Sequence, residues 1–173
     1  VGLDSKLLIV PLEGFPNEQE ITIRVQSFTK QPVTGTLNLK LPEGWEAIPA
    51  NEKFYLQSKG EQTSVTFLVR APASRISGSF SITAEATIAQ STYKHDLQVI
   101  EYPHIQTHRI YWPAKAAAKV INLEVAQVNV GYIMGSGDQI PEALSRMGIN
   151  VSMLDENFLT SGNLSTFDTI VVG

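Results

Sequence analysis

Four groups of residues in this chain have types and spacings that could do chemistry. His104 and His108 stand at His-x3-His spacing, which on a helix would turn both imidazoles to one side and offer a metal two nitrogen ligands. Pro103 and Pro113 argue against a helix there, and Glu101 is the nearby carboxylate, so these histidines read more simply as surface or interdomain residues without a metal. Gly135-Ser136-Gly137 follows an apolar run as a phosphate-cradling loop does, and Asp155 sits about where a ribose-binding acid would. The third glycine position is Ile140, however, and Asp138 places a negative charge where an anion would rest. A tight turn that holds nothing is therefore the better reading of Gly135, Ser136 and Gly137, with an anion or ligand site there as the alternative. Trp45, Tyr55, Tyr111 and Trp112 are the rings that could stack on sugar faces. Trp45 reads more simply as a core plug folded back beneath the strand it precedes, and Tyr55, between Phe54 and Leu56, could equally be strand packing. The acids Asp155 and Glu156 read as a solvated pair at a strand end.

No catalytic residue is expected in the chain itself. There is no Ser-His-Asp order on a nucleophile elbow, no zinc signature and no phosphate loop with lysine. The absence of cysteine removes disulfides, thiolate metal sites and cysteine nucleophiles. A net charge of −4 with scattered basic residues argues against a nucleic-acid partner. No apolar run approaches the roughly 20 residues that span a bilayer, so no membrane span is expected.

The elements that would position these residues fall into two parts. Between Lys6 and Glu101 apolar residues recur at every second position: Ile21, Ile23, Val25; Leu37, Leu39, Leu41; Val65, Phe67, Val69; Phe80, Ile82, Ala84, Ala86. Period two means strands with one buried face. Turn formers at Pro16-Asn17, Gln31-Pro32, Pro42-Glu43-Gly44, Ser58-Lys59-Gly60, Ala71-Pro72 and Ser77-Gly78 separate them. The expectation is mainly β: an immunoglobulin-like antiparallel β-sandwich over residues 1–101. Residues 102–127 form a docked, proline-bounded connector, with a strand at Ala116–Ala126 leading into a second unit. That unit, residues 128–173, is read as β-α-β with a parallel sheet: a strand at Val128–Met134, a helix on Ile140, Ala143, Leu144 and Met147 with Asp138 as N-cap and Gly148 as stop, then strands at Ile149–Leu154 and Thr169–Val172. Three parallel strands need cover on both faces. The unit is therefore expected to be truncated, part of a longer protein, and to pack its open faces on the sandwich, the connector or a second copy of itself.

Leu41-Pro42-Glu43-Gly44-Trp45, Gly60-Glu61, the strand Val65–Arg70 ending at Ala71-Pro72, and Gly78-Ser79-Phe80 occur in an order that resembles the NPCBM-associated immunoglobulin-like domain found beside bacterial glycoside hydrolases. The run Gly131–Asp138, Pro141-Glu142-Ala143-Leu144, Met147-Gly148 and Phe167–Gly173, with Tyr102-Pro103-His104-Ile105 before it, is similar to the C-terminal region of large bacterial LmbE-like (PIG-L family) deacetylases. There a class I glutamine amidotransferase-like domain follows the sandwich. The resemblance implies an accessory region outside the cytoplasm, periplasmic or extracellular. It also implies a zinc-dependent N-deacetylase domain preceding Val1 as partner, with zinc only there, since the His-Pro-Asp-Asp type motif does not occur in this chain. A polysaccharide is a further partner under the alternative reading, a carbohydrate-binding module.

Overall fold

In the computed structural model, which describes residues 1–14 and 17–173, alternation of apolar and polar residues becomes a two-sheet β-sandwich. In chain order its strands are β1 (Gly2–Leu3), β2 (Leu7–Pro11), β3 (Glu18–Gln26), β4 (Val33–Lys40), β5 (Glu46–Ile48), β6 (Glu52–Leu56), β7 (Gln62–Arg70), β8 (Gly78–Ile88), β9 (Ser91–Tyr93), β10 (His95–Ile100), β11 (His108–Pro113) and β12 (Lys115–Ile121). One sheet has the order β1-β3-β7-β5, antiparallel throughout. The other has the order β2-β12-β8-β4-β6, with β9 also on β8, and is antiparallel except where β2 lies parallel to β12. Because side chains alternate across a strand, each expected apolar set reaches the space between the sheets. Ile21, Ile23, Phe67, Leu37, Ile82 and Ala84 lose all contact with solvent, while Leu41, Val65 and Phe80 stay half-buried at the margin. The turn expected at Pro16-Asn17 falls partly outside the described residues.

The sandwich extends well past Glu101, which moves the expected boundary. β12 lies between β2 and β8, and Ala114, Ala116, Ala118 and Val120 are core residues, so the strand expected to lead into the second unit instead completes the first. The register on β8 explains this. Tyr93 pairs with Ala86 and Lys115 with Thr83, while Lys94 and Ala114 meet between them through an Ala114 N–H to Lys94 carbonyl bond of 2.8 Å. β9 and β12 are thus one line of strand along β8. Residues 95–113 leave that line and return to it as the separate two-stranded β10–β11 hairpin. The expected connector is therefore a hairpin inserted into a strand, followed by 122–128 as the actual link.

The remaining elements are β13 (Asn129–Ile133), helix α1 (Ile140–Arg146), β14 (Asn150–Met153), helix α2 (Glu156–Ser161), a 3-10 turn at Leu164–Thr166 and β15 (Thr169–Val172). The three strands form a parallel sheet of order β14-β13-β15. Gly148, with φ +91, ends the first helix as its lack of a Cβ allows. One local expectation is corrected. The N-cap of α1 is Gln139, which makes no side-chain cap bond, and the helix buries Pro141 while leaving Ile140 and Ala143 exposed. Asp155 and Glu156 are both exposed just past the end of β14, as expected, and Asp155 in addition is the N-cap of α2, accepting from the Phe158 N–H at 2.8 Å.

Candidate functional site

The structure separates the four candidate rings. Trp45 follows Gly44, whose φ of +78 turns the chain so that the indole lies over Phe80 at 6.0 Å between centroids, half-buried against the core. Tyr55 projects from β6 and is exposed. Tyr111 and Trp112 are neighbours on β11 and so face opposite sides of the hairpin. The Trp112 indole N–H donates to Gln98 Oε1 at 3.3 Å, on the side shared with Asp96, its register partner. Tyr111, paired with Leu97, looks instead into a cleft at one end of the sandwich.

That cleft, of about 980 Å³, lies between the hairpin base and the two sheets. Phe54, Leu56 and Ile88 form an apolar floor, and Phe28, Tyr93 and Tyr111 stand around it with 48%, 52% and 62% of their surface in solvent. Arg24 of β3 and Asp96 of β10 close one wall with a 3.2 Å ion pair. Lys94, at the strand break, is held by Glu85 at 2.7 Å, and that bond is the main reason the Glu85 carboxyl titrates below its ordinary range. The Val1 ammonium also lines the cleft, donating to the His95 carbonyl at 2.9 Å, and burial holds its pKa below the ordinary value. Sequence reading did not find this site as a set, because Arg24 and Phe28 lie in one segment, on and just after β3, and Tyr93 and Asp96 in another far along the chain; only Tyr111 was among the leading rings.

The glycine loop after β13 is occupied by its own aspartate. Asp138 Oδ1 accepts the Ile140 N–H at 2.9 Å, and the Tyr132 hydroxyl donates to both Asp138 oxygens at 2.8 and 2.9 Å. Those bonds, the Ile140 one first, hold the Asp138 carboxyl below its usual range, while burial and then the carboxylate push the Tyr132 phenol up to about 12. A Cβ on Gly135 would strike the Gly173 carbonyl, so that glycine serves the close approach of two strand ends. The negative charge expected to oppose an anion sits where an anion's oxygens would be received, and α1 has only seven residues to offer a dipole.

His104 lies in the hairpin's end loop, 6.0 Å from the Tyr102 ring, and His108 starts β11. With no helix between them, the spacing that suggested a shared metal face has no structural counterpart. Among the described residues no three His, Cys, Asp or Glu side chains gather to hold a metal, and no helix is long and apolar enough to cross a membrane.

The second unit meets the sandwich through Gln19 and Arg146. The Gln19 amide, 7% exposed, donates to the Ile9 carbonyl of β2 and to the Arg146 carbonyl at the end of α1. The Arg146 guanidinium donates back to Ser5 Oγ at 3.3 Å. A shallow recess of about 540 Å³ runs alongside, between Glu18–Glu20 and α1.

No protein-family model matches the chain, and no curated protein does. Among solved structures it is similar to the periplasmic chaperone SfaE, with 12% identity and a TM-score of 0.41 over 75% of this chain and 65% of that one. The E. coli chaperone DraB gives 9% identity and 0.40 over 71% and 56%. A family 123 glycoside hydrolase from Clostridium perfringens gives 11% and 0.37 over 75% of this chain and 26% of the enzyme.

Proposed function

We propose that this chain is a non-catalytic accessory module of a larger, carbohydrate-active protein, working in the periplasm or outside the cell as a spacer and docking element. The observation that carries this reading is the tie between the two units: a buried Gln19 bridging β2 and α1, answered by Arg146 on Ser5. A bond network of this kind transmits the position of the sandwich to the parallel sheet, which is what a spacer must do. The sheet in turn presents Met153, Ile170 and Val172 to solvent, apolar side chains of a kind that interfaces use. Following the resemblance to LmbE-like deacetylases, the sandwich is immunoglobulin-like, the second unit is the start of an amidotransferase-like domain, and zinc and the acetyl-removing chemistry belong to a domain preceding Val1.

The test is an assay of the isolated chain with zinc and an N-acetylated sugar, and separately with glutamine. No turnover above buffer is expected. Release of acetate or ammonia would overturn the reading.

A second reading, a carbohydrate-binding module, is favoured by one observation: Tyr55, Tyr111 and Trp112 keep 57%, 62% and 53% of their surface in solvent, more than strand packing needs. Sugar titration followed by tryptophan fluorescence, with Trp112→Ala as control, tests it, and a flat response to every sugar counts against it.

A further inference from the structure

We propose that the outer edge of β11 pairs with the same edge of a second copy of this chain, so that two β10–β11 hairpins join about a two-fold axis at Ile110 into one four-stranded antiparallel sheet. This goes beyond the accessory-module reading and does not depend on it. The surface is also separate from the parallel sheet, where the sequence placed self-association. Among the described residues β10 is the sole strand partner of β11, so the other edge of β11 is open along its length. Which backbone groups lie on that edge follows from β10. The His95 carbonyl accepts the Val1 N–H and the Leu97 N–H donates to Asp96 Oδ1, so odd-numbered residues of β10 turn their backbone away from β11. The Ala114 N–H to Lys94 carbonyl bond agrees, as an even-numbered pair that faces inward. In an antiparallel ladder the residues directly opposite behave alike. Leu97 and Val99 lie opposite Tyr111 and Arg109, so Tyr111 and Arg109 present their N–H and C=O groups at the free edge.

Open edges invite pairing, and folded proteins guard them with charges, short strands or proline. The sandwich guards its own: β1 and β5 have two and three residues, β6 carries Glu52 and Lys53, and the Ile9 carbonyl of β2 is taken by the Gln19 amide. β11 has six residues, a single charge at Arg109, and proline only at its last position. Register then decides what fits. Two identical antiparallel edges meet only with like backbone groups opposed, so the axis near the middle of the strand falls at Arg109, Ile110 or Tyr111. An axis at Arg109 sets two guanidinium groups directly opposite each other, which repels. An axis at Tyr111 sets Arg109 against proline, which has no N–H to give. An axis at Ile110 avoids both. Arg109 then exchanges both backbone bonds with the partner's Tyr111, and the same exchange recurs across the axis. On one face each guanidinium lies beside the partner's Tyr111 ring, a cation–π arrangement. On the other, each His108 lies beside the partner's Trp112, and the two Ile110 side chains meet at the axis. The strand is complementary to itself, as an isologous two-fold interface requires. His108, Arg109, Tyr111 and Trp112 are all exposed in the single chain.

The experiment is sedimentation equilibrium of the whole chain over a concentration series, with Tyr111→Lys, the double variant Arg109→Glu/Tyr111→Lys, and the single-cysteine variants Ile110→Cys and Val99→Cys. Circular dichroism checks that each variant is folded. The native chain is expected to reach twice its mass at the upper concentrations. Tyr111→Lys opposes two cations and should raise the dimer dissociation constant about tenfold; the double variant sets glutamate opposite lysine and should restore it. Because the chain has no cysteine of its own, mild oxidation should join two Ile110→Cys copies across the axis, where opposed Cα atoms stand about 4.5 Å apart, and leave Val99→Cys single. A native chain that stays single up to its solubility limit would overturn the proposal, even if β11 took up a peptide strand from another protein. So would a dimer that Tyr111→Lys leaves unchanged, or one that cross-links through Val99→Cys and not through Ile110→Cys.

Discussion

The Tyr132 hydroxyl donates to the carboxylate of Asp138 at 2.8 Å, joining the end of the central parallel strand to the start of the helix that follows it. The pair makes this turn self-contained, and it has a pH signature. The Asp138 carboxyl titrates below its ordinary 3.8, so its contribution is present above that value and is lost as pH falls through the lower, folded value. The Tyr132 phenol is raised from 10.0 to about 12, so its contribution is full below pH 10.0 and is lost as pH rises towards about 12. The difference in melting temperature between the native chain and Tyr132→Phe should therefore be constant from about pH 5 to 9 and shrink on both sides. A difference as large at pH 12 as at pH 7 would contradict this role.

Excising residues 95–113 and joining Lys94 directly to Ala114 should leave the sandwich folded, because the two residues already continue one register along β8. Circular dichroism should show a cooperative β-type melt, with the cleft lost. A molten or aggregated product would mean that the hairpin supports the core.

Gly35 is a second place where the core has no slack. A Cβ there would stand 2.6 Å from the Thr87 carbonyl oxygen and 2.7 Å from the Phe54 ring, one of them backbone that cannot swing away. Gly35→Ala should cost about 1–3 kcal/mol in urea unfolding. Gly78→Ala, whose Cβ meets only the Phe80 ring at 3.6 Å, is the matched control and should be within about 0.5 kcal/mol of the native chain.

Gln19→Leu should loosen the second unit more than the first. It removes the donor to two carbonyls, those of Ile9 and Arg146, at a cost of about 1–3 kcal/mol. Cleavage by a glutamate-specific protease at Glu124, in the link between the units, should speed up severalfold. A cleavage rate equal to that of the native chain would show that the bridge does not hold the units together.

What the sequence made legible follows from how local each signal is. The period-two sets of Ile21–Val25, Leu37–Leu39 and Ile82–Ala86 reach the core because alternation depends only on the pleat of a single strand. The βα turn and its Gly148 stop are likewise local. The domain boundary was not legible, because Ala114, Ala116 and Ala118 are small residues that tolerate helix or strand equally, and only pairing with β2 and β8 decides between them. The same holds for the inserted hairpin, whose two ends meet only through the register on a third strand. Helix α2 was missed for a different reason: the acid at Asp155 was weighed as ligand chemistry, while its physical use is to receive the Phe158 N–H. The cleft combines both difficulties, since Arg24 and Asp96 become neighbours only once β3 of the sandwich and the separate β10–β11 hairpin have met.

The parallel pairing of Leu7–Pro11 with Ala117–Ile121 carries a consequence for how the protein is made. The second strand of the chain finds its strand partner only when the last strand of the sandwich exists, so the longest closure among the sandwich's strand pairings must be made before that sheet is complete. During synthesis, β2 therefore waits as an unpaired apolar ribbon with Leu8 and Val10 uncovered until residue 121 has left the ribosome. Closure is expected to be the slow step, and any shortened chain ending before Ile121 should be captured by chaperones and not accumulate as a folded protein.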